Sequence, residues 1–435
     1  MRRAGILLHV SSLPSSDLGP SAYAFVDFLQ QAGQSLWQVL PINACRKGYL
    51  FYEPISFFAG NYLFISPILL MQEGLLKDHE VKTIKDKKVL LDLAFSRFKP
   101  GCDFESFYEE NRGWLEDYAT YMSRREKTIK ERFYFEQFVF YKQWKTLKEY
   151  ANSKGVLIVG DLPMYPAMES VEVYTKRHLF KLDVVSGVPP DSFSPTGQLW
   201  GTPVYNWEKL AKEGFKYHVE RIKHQLKLFD VVRLDHFRGY CAYWEVPRGE
   251  KTAVKGRWVE VPTKEFLETL LKVIPRERLW VEDLGYLDEK VHYYREHYQL
   301  TGMAVLEFAF DEKDSPYLPH NLKENCVYYT GTHDNPPLKG WFKALEPTGR
   351  QRLIKYLGKK VSQESVAWEC IRLVYMSVCR YAIVQMQDLL NLGIKARMNT
   401  PGKPKGNWRW KLKDLPSQEL AQRLKDFTIV YGRYP

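Results

Sequence analysis

Short apolar runs that stop abruptly at polar residues recur along the chain. Near-continuous apolar composition of this kind is typical of strands buried on both faces of a parallel sheet. Helical patterns separate several of the runs, for example at 23–32 and 215–228. Strands that alternate with helices predict a (β/α)8 TIM barrel of the α/β class. The eight runs span 4–10, 36–41, 156–161, 231–235, 279–282, 304–310, 327–333 and, more weakly, 382–389.

Three stretches interrupt this alternation, and we expect them to be insertions on one catalytic barrel spanning 1–435. Residues 65–150 are rich in aromatics and helical patterns, which predicts a helical subdomain with most of its aromatics in the core. Residues 184–210 carry Pro and Gly punctuation and predict a loop. Residues 395–435 form a C-terminal segment.

Composition restricts the class of protein but does not indicate a function. With 45% hydrophobic and 26% charged residues, the chain matches ordinary globular proteins, and its longest apolar runs are too short to span a membrane. The apolar stretch at 4–8 is too short for a signal peptide, so we expect a cytoplasmic protein. The six cysteines show no CxxC pair, and we interpret them as reduced, buried thiols.

Net charge is positive, with 63 Lys+Arg against 52 Asp+Glu (63 − 52 = +11). Acidic residues interrupt both basic clusters, at 82–88 and 124–132, as is typical of solvated helix faces. We therefore expect neither nucleic acid nor a membrane as partner. The sequence leaves the oligomeric state open.

Side chains at the carboxyl ends of TIM-barrel strands converge on the active site. Several carboxylates on one rim, without a His/Cys ligand set, favour acid–base or covalent carboxylate chemistry. His236, His320 and His333 lack metal-ligand spacing, and we expect no metal and no organic cofactor. The polar strand ends are Asp161 after the third run, Arg233, Asp235 and His236 at the fourth, Glu282 and Asp283 at the fifth, His333 and Asp334 at the seventh, and Gln387 and Asp388 at the eighth.

Arg233 and Asp235 are two residues apart on a strand, so they project to the same face. A fixed guanidinium beside a carboxylate favours its ionised form, which is the nucleophilic one. A purely structural Arg–Asp ion pair is the alternative. Glu282 follows the apolar Leu-Trp-Val of 279–281, and desolvation there predicts a raised pKa and a proton donor. A helix-capping or ion-paired Glu282 is the other interpretation.

One ionised and one protonated carboxyl are what glycoside cleavage requires, since one attacks the anomeric carbon while the other protonates the leaving oxygen. Asp334 is a candidate third acid that holds sugar hydroxyls or stabilises the oxocarbenium-like transition state. His333 beside it is either a sugar contact or a satisfied core histidine.

Three of these segments resemble the strands that carry the catalytic acids of the amylomaltases, the bacterial 4-α-glucanotransferases related to plant disproportionating enzyme. They read VVRLDHFRG at 231–239, WVEDLG at 280–285 and YTGTHDN at 329–335. Other strings agree in order over nearly the whole chain. They are GILLH (5–9), SLP (12–14), WQVLP (37–41), FAGN (58–61), GDLP (160–163), GVPPD (187–191), TGQLWG (196–201), QD (387–388), ARMN (396–399) and GNW (406–408).

The resemblance implies a retaining transferase that moves α-1,4-glucan segments between maltooligosaccharides, with glucose or maltose as acceptor, through a covalent glucosyl–Asp235 intermediate. Glu282 would be the acid/base, Asp334 the transition-state stabiliser, and 184–210 a loop over the substrate. An α-1,4-glucan hydrolase and a catalytically impaired glucan-binding protein remain as alternatives. The residues implied to bind sugar are Tyr52, Asp161, Asp191, Phe193, Trp200, Arg233, His236, His333 and Asn407.

The chain departs from the family pattern at several positions. Residues 47–53 replace the usual Ser-Pro-Tyr segment, and Pro336-Pro337 replaces an acid and Thr. Ser192 stands where an aromatic is common and Thr202 where Asn is common, and the helical insertion near 120–135 is shorter than usual. These changes leave the three acids in place and bear on acceptor preference and on the strength of the sugar subsites.

Overall fold

Eight parallel strands form one sheet in the computed structural model, which describes residues 2–191, 194–285, 287–403 and 405–434. In chain order they are Arg3–Leu7, Leu36–Gln38, Leu157–Leu162, Val231–Leu234, Leu279–Val281, Gly302–Val305, Cys326–Tyr329 and Tyr381–Gln385. Apart from the fifth and sixth, strands that follow one another in the chain pair with each other, and the eighth pairs with the first. A bridge between Trp280 and Thr301 joins the fifth strand to the chain just before the sixth. The predicted (β/α)8 barrel is confirmed.

Two predicted strands are placed differently. The sixth lies at Gly302–Val305 rather than 304–310, because Leu306–Phe308 forms a 3-10 turn. The eighth ends at Gln385, and Met386–Leu389, predicted as strand, is a helical turn. Short apolar runs do not distinguish a buried strand from a buried helical turn, so both predictions extended the strands too far.

The sixteen α-helices of the described residues lie between and around the strands. Both helices predicted from spacing are present, as Pro20–Gln31 and Lys216–Leu228. The full set is Pro20–Gln31, Pro67–Gln72, Asp78–Thr83, Lys87–Arg97, Cys102–Glu126, Lys130–Ser153, Val171–Thr175, Trp207–Lys212, Lys216–Leu228, Thr263–Leu271, Glu289–His297, Leu338–Ala344, Pro347–Leu357, Val366–Met376, Met386–Leu389 and Gln418–Val430.

The 65–150 segment is helical, as expected. Its two long helices, Cys102–Glu126 and Lys130–Ser153, form a hairpin whose turn begins at Lys127 in a left-handed conformation (φ 54°). Aromatic side chains fill the space between them, for example Phe104 against Phe138 with ring centroids 5.4 Å apart. Aromatic packing therefore holds this hairpin together.

The 184–210 segment is not the simple loop that its Pro and Gly content predicted. Val184–Val188 and Gln198–Leu199 join a four-stranded antiparallel sheet with Ala242–Pro247 and Arg257–Glu260. The Val184–Val188 strand pairs with Ala242–Pro247, more than 50 residues away, and local composition carries no signal of that partner. Two small antiparallel pairs complete the strand set, Cys45–Arg46 with Leu50–Pro54 and Phe180–Lys181 with Val204–Tyr205.

Alternate residues of the barrel strands face the barrel interior. On the fourth strand, Val231 belongs to the interior cluster, whereas Val232 and Leu234 pack toward the helices. Arg233 therefore points inward like Val231, as the strand period predicts. The sequence thus places a guanidinium at the mouth of an apolar barrel.

Two observations concern the compositional predictions. No helix among the described residues is both long and apolar enough to cross a membrane. All six cysteines are free thiols, but Cys102 is exposed at the start of its helix, so the prediction that every cysteine is buried was wrong for this one.

Candidate active site

Arg233 bridges two carboxylates at the mouth of the barrel. Its Nη1 donates to Asp161 Oδ1 at 2.7 Å and to Asp235 Oδ1 at 2.8 Å. Asp161 is the penultimate residue of the third strand and lies in register with Arg233. Burial raises the pKa of Asp161, and the Arg233 guanidinium opposes that rise. The Asp235 carboxylate, whose side chain is 23% exposed, is thus fixed beside a permanent cation.

Tyr52 covers this ion-pair cluster with an aromatic plane. Its hydroxyl donates to Asp161 Oδ2 at 2.6 Å, and its ring stacks on His333 at 4.9 Å. Trp408 continues the stack, with centroids 5.9 Å from Tyr52. Tyr52 lies on the hairpin strand Leu50–Pro54, so the altered 47–53 segment still delivers an aromatic to the site.

Glu282 follows the fifth strand and reaches toward the fourth. Its Oε2 accepts a hydrogen bond from the His236 backbone N–H at 2.9 Å, and its Oε1 accepts one from Leu284 at 2.9 Å. Burial raises the pKa of Glu282 to about 7, while Arg233 opposes the rise and Asp235 adds to it. The raised pKa expected from the apolar approach is confirmed. A carboxyl that exchanges its proton near neutral pH suits both acid and base catalysis.

His236 sits between the two acids in a left-handed conformation (φ 49°). This turn reverses the chain directly after Asp235 and aims the His236 N–H at Glu282. Burial lowers the pKa of its imidazole to about 4, so the ring is neutral at pH 7. Trp200 meets that ring edge-on at 4.8 Å, which brings the four-stranded sheet to the site.

Asp334 is held at the rim by residues that come much later in the chain. Its Oδ1 accepts from Asn399 Nδ2 at 2.5 Å and lies 3.5 Å from His333 Nε2. Arg397 donates to the Asp334 backbone carbonyl. The sequence reasoning recognised the 396–399 string but gave Asn399 and Arg397 no role, since nothing local shows that they lie beside Asp334.

Three of the predicted sugar-binding residues, Asp191, Asn407 and Phe193, have no role that the structure assigns. Asp191 accepts from the Ser194 N–H at 2.7 Å within its own turn. Asn407 braces its loop, since Oδ1 accepts from Thr400 at 3.0 Å and Nδ2 donates to the Lys403 carbonyl at 2.9 Å. Phe193 lies outside the described residues. Their sugar-binding roles stay predictions.

Asp388 does not belong to the rim. It is fully buried, and its carboxyl accepts from Thr330 Oγ1 at 2.7 Å and from the Leu338 N–H at 2.6 Å. Those contacts tie the helical turn after the eighth strand to the residue that follows the seventh strand and to the start of the Leu338–Ala344 helix. The strand-end position that made Asp388 a candidate therefore serves structure.

The rim thus combines one carboxylate fixed beside a cation with one carboxyl titrating near pH 7. That combination suits nucleophilic attack coupled to proton transfer. Within the described part of the chain, no group of three or more His, Cys, Asp or Glu side chains is arranged to hold a metal ion.

Comparisons with known proteins agree with one another. A family model described as 4-alpha-glucanotransferase matches residues 8–133 and 123–417. A 4-alpha-glucanotransferase of Aquifex aeolicus is 49% identical over 484 aligned positions, covering 100% of both chains. One from Clostridium butyricum is 38% identical, covering 98% of this chain and 100% of the relative. The solved amylomaltase from Streptococcus agalactiae in complex with acarbose superposes with a TM-score of 0.95 at 33% identity, covering 100% of both chains.

Proposed function

Because this chain belongs to the 4-alpha-glucanotransferase family, glycoside hydrolase family 77, and is an enzyme of that activity, we propose that it acts by a retaining, two-step mechanism on Asp235 and Glu282. The observation that carries the proposal is the pair of unlike carboxyls on adjacent strands. Asp235 Oδ1 accepts a hydrogen bond from the Arg233 guanidinium at 2.8 Å, and burial raises the pKa of Glu282 to about 7.

In the first step, Asp235 attacks the anomeric carbon of an α-1,4-glucan. Glu282 protonates the glycosidic oxygen, so the reducing-end fragment leaves as a neutral sugar and a glucosyl–Asp235 ester remains. Asp334 stabilises the positive charge that develops on the ring. Its carboxylate is held by Asn399 Nδ2 at 2.5 Å, which supports this placement.

In the second step, Glu282 works in reverse. The 4-hydroxyl of an acceptor enters the position that the first fragment left, Glu282 removes its proton, and the oxygen attacks the ester carbon. Two inversions restore the α configuration. The same group serves as acid and then as base, which a pKa near 7 allows.

Sugar binding is proposed for the residues around this pair. Tyr52 presents a stacked ring beside Asp161 and Arg233, and His236 and His333 border the acids. Trp200, in the 184–210 segment that we propose to cover the substrate, supplies a second ring. We infer maltooligosaccharides as donors and glucose or maltose as acceptors, and a cytoplasmic location.

Incubation of the purified protein with maltotriose tests transfer against its alternatives. Transfer produces glucose together with a ladder of longer oligosaccharides, since the maltosyl segment cleaved from one maltotriose is added to the 4-hydroxyl of another and glucose is the fragment released. Shortening alone would identify a hydrolase, with water taking the acceptor's place. Unchanged maltotriose would identify a glucan-binding protein. Either of the last two results contradicts the proposal.

A further inference from the structure

The fifth and sixth strands of the barrel are joined by fewer backbone pairs than the other neighbouring strands, and this junction, called the seam below, lies beside Glu282. Seven neighbouring strand pairs share ladders of at least three residue pairs. Among the described residues, the fifth and sixth strands are instead joined by the Trp280–Thr301 bridge, where the Val281 N–H donates to the Thr301 carbonyl at 2.9 Å. Glu282 is the next residue, so the acid/base group leaves the sheet where the sheet is least paired.

The side chain of Asp283 forms hydrogen bonds across the seam where the backbone ladder stops. Its Oδ1 accepts from the Met303 backbone N–H at 2.7 Å, and its Oδ2 accepts from Arg295 Nη1 at 2.7 Å. Asp283 is 5% exposed. Arg295 comes from the helix Glu289–His297, so one carboxylate ties the residue after Glu282 to the sixth strand and to a helix.

Gly302 leaves the space that this ion pair occupies. A Cβ atom there would lie 2.7 Å from Asp283 Oδ2 and 2.8 Å from Arg295 Nη1, closer than packed atoms allow. A glycine at the start of the sixth strand is therefore needed for the pair to close over the seam.

Asp283 and Arg295 line a cavity of which Glu282 is not part. The cavity has a volume of about 630 Å³ and reaches the surface at Arg276 and Lys323. Glu282 instead accepts a hydrogen bond from the His236 backbone N–H. Among the described residues, Asp283 and Arg295 bond each other, Met303 and Glu296, so we expect any effect on catalysis to pass through Glu282.

We propose that the Asp283–Arg295 ion pair is a positioning device for Glu282, closing the seam beside it and balancing the charge behind it. The inference rests on the acid/base role proposed for Glu282. Asp283 contributes negative charge that raises the pKa of Glu282, and Arg295 neutralises that contribution. Glu282 also faces Arg233, Asp235 and Tyr317, and Asp283 also faces Tyr317 and Cys326.

Removing either partner separates positioning from plain structural support. Asp283→Asn keeps an acceptor for Met303 but leaves Arg295 with only the half-exposed Glu296, at 3.0 Å, as its acidic partner, and the added positive charge lowers the pKa of Glu282. Arg295→Ala removes the cation that opposes the burial-raised pKa of Asp283, and wherever Asp283 is ionised its charge raises the pKa of Glu282. A structural role alone would reduce activity in both variants without moving the alkaline limb of the pH profile in opposite directions.

The test compares kcat/KM for maltotriose across pH in the two full-length variants. We expect the alkaline limb of Asp283→Asn to lie below that of Arg295→Ala by about half a pH unit or more. Arg295→Lys should keep the wild-type limb. Arg276→Ala, on the same cavity but bonded to Gln299 Oε1 at 2.8 Å, is the matched control and should behave as wild type. A smaller separation, or a shift in Arg276→Ala, overturns the proposal.

Chemical rescue provides an independent readout. Because the cavity opens to solvent, millimolar guanidinium should bind in the space left by Arg295→Ala and return kcat toward wild type, whereas sodium chloride at the same ionic strength should not. Absence of rescue overturns the proposal. Should Arg295→Ala fail to fold, Asp283→Asn against wild type decides alone, with a limb at lower pH expected. Glu282→Gln distinguishes the two inferences, since activity in that variant removes the acid/base assignment itself.

Discussion

Asp235 and Glu282 face the same cation and differ in what else surrounds them. Asp235 bonds Arg233 directly at 2.8 Å, whereas the Glu282 oxygens accept from two backbone N–H groups. Burial acts on Glu282 without a direct ionic partner, and its pKa rises to about 7. A division of environments of this kind lets two identical functional groups take the two roles that we propose, nucleophile for Asp235 and acid for Glu282.

Asp235→Asn tests the nucleophile. The amide keeps the volume of the carboxylate but cannot form the glucosyl ester, so we expect turnover of maltotriose to fall about 10⁴-fold or more. The thermal midpoint should change little, because the partly exposed Asp235 supports no other element. Near-normal activity in this variant would remove Asp235 from the mechanism.

Azide rescue assigns the two carboxyls separately. In Glu282→Ala an activated glucosyl donor still forms the ester, which then waits for a nucleophile that needs no base. Azide should raise turnover by about tenfold or more and give the α-glucosyl azide. Asp235→Ala is the matched control, since azide entering from the nucleophile's side would give the β-azide. An α product from Asp235→Ala, or none from Glu282→Ala, contradicts the assignment.

The pH dependence follows from the raised pKa of Glu282. The first step needs its protonated form, so kcat/KM should decline as pH rises through about 7, approaching a tenfold loss per pH unit. The measurement is kcat/KM for maltotriose over about two pH units on each side of that value. A profile flat to high pH would show that proton donation by Glu282 does not limit this step.

Sequence reasoning located these residues because their signals are local. The two-residue spacing of Arg233 and Asp235 fixes a shared face, and strand-end positions point to one rim. Asp334 shows the limit. Its partner Asn399 lies 65 residues further along the chain, and the contact depends on how the C-terminal segment folds back.

At the scale of elements, the strand 184–188 of the 184–210 segment is held in place by residues far away in the sequence. Trp244 pairs with Trp258 on one side and with Gly187 on the other, so residues of the hairpin 242–260 hold the 184–188 strand. Pro and Gly content suggested a loop because composition reports only local preference. The structure instead places Trp200 directly after Gln198–Leu199, a strand of this sheet.

Trp200→Ala tests whether that element handles sugar. Trp200 is 38% exposed and contacts the His236 ring edge-on. Loss of its ring should raise KM for maltooligosaccharides about tenfold while changing stability by less than about 0.5 kcal/mol. Trp258, 39% exposed on the same sheet, is the matched control, and Trp258→Ala should leave KM near wild type. Parallel losses of activity and thermal stability in Trp200→Ala would mark a core residue instead.

At the scale of the whole molecule, the number and order of barrel strands were readable because each buried strand leaves its own apolar run. The seam between the fifth and sixth strands could not be predicted from the sequence, because strand length and pairing depend on where each strand stops. Leu306–Phe308 curls out of the sheet and shortens the sixth strand to Gly302–Val305. At this point the Asp283 side chain supplies the link between the two strands, through the Met303 N–H. Its position in the sequence indicated only that it follows Glu282 at a strand end.

Buried Asp388 should make the stability of the whole barrel depend on pH. Burial raises its pKa from 3.8 in the unfolded chain to about 7 in the fold, so the native state binds the proton more tightly. Unfolding free energy is therefore highest below pH 4 as far as this group is concerned, and its contribution declines as pH rises through 7. The total change is up to about 4 kcal/mol, since one pH unit is worth about 1.4 kcal/mol.

Asp388→Asn isolates that contribution, because the isostere stays neutral at every pH and keeps an acceptor for the Leu338 N–H. We expect denaturant unfolding at several pH values to show that the unfolding free energy of the variant rises relative to that of wild type between about pH 4 and about pH 7. Above about pH 7 the difference between the two unfolding free energies should stay constant. Asp414→Asn, which removes one exposed carboxylate, controls for the change in net charge. A wild-type-minus-variant difference that stays the same across this range would mean that Asp388 is already ionised in the fold, and that the contacts to Thr330 and Leu338 stabilise a buried carboxylate rather than a carboxylic acid.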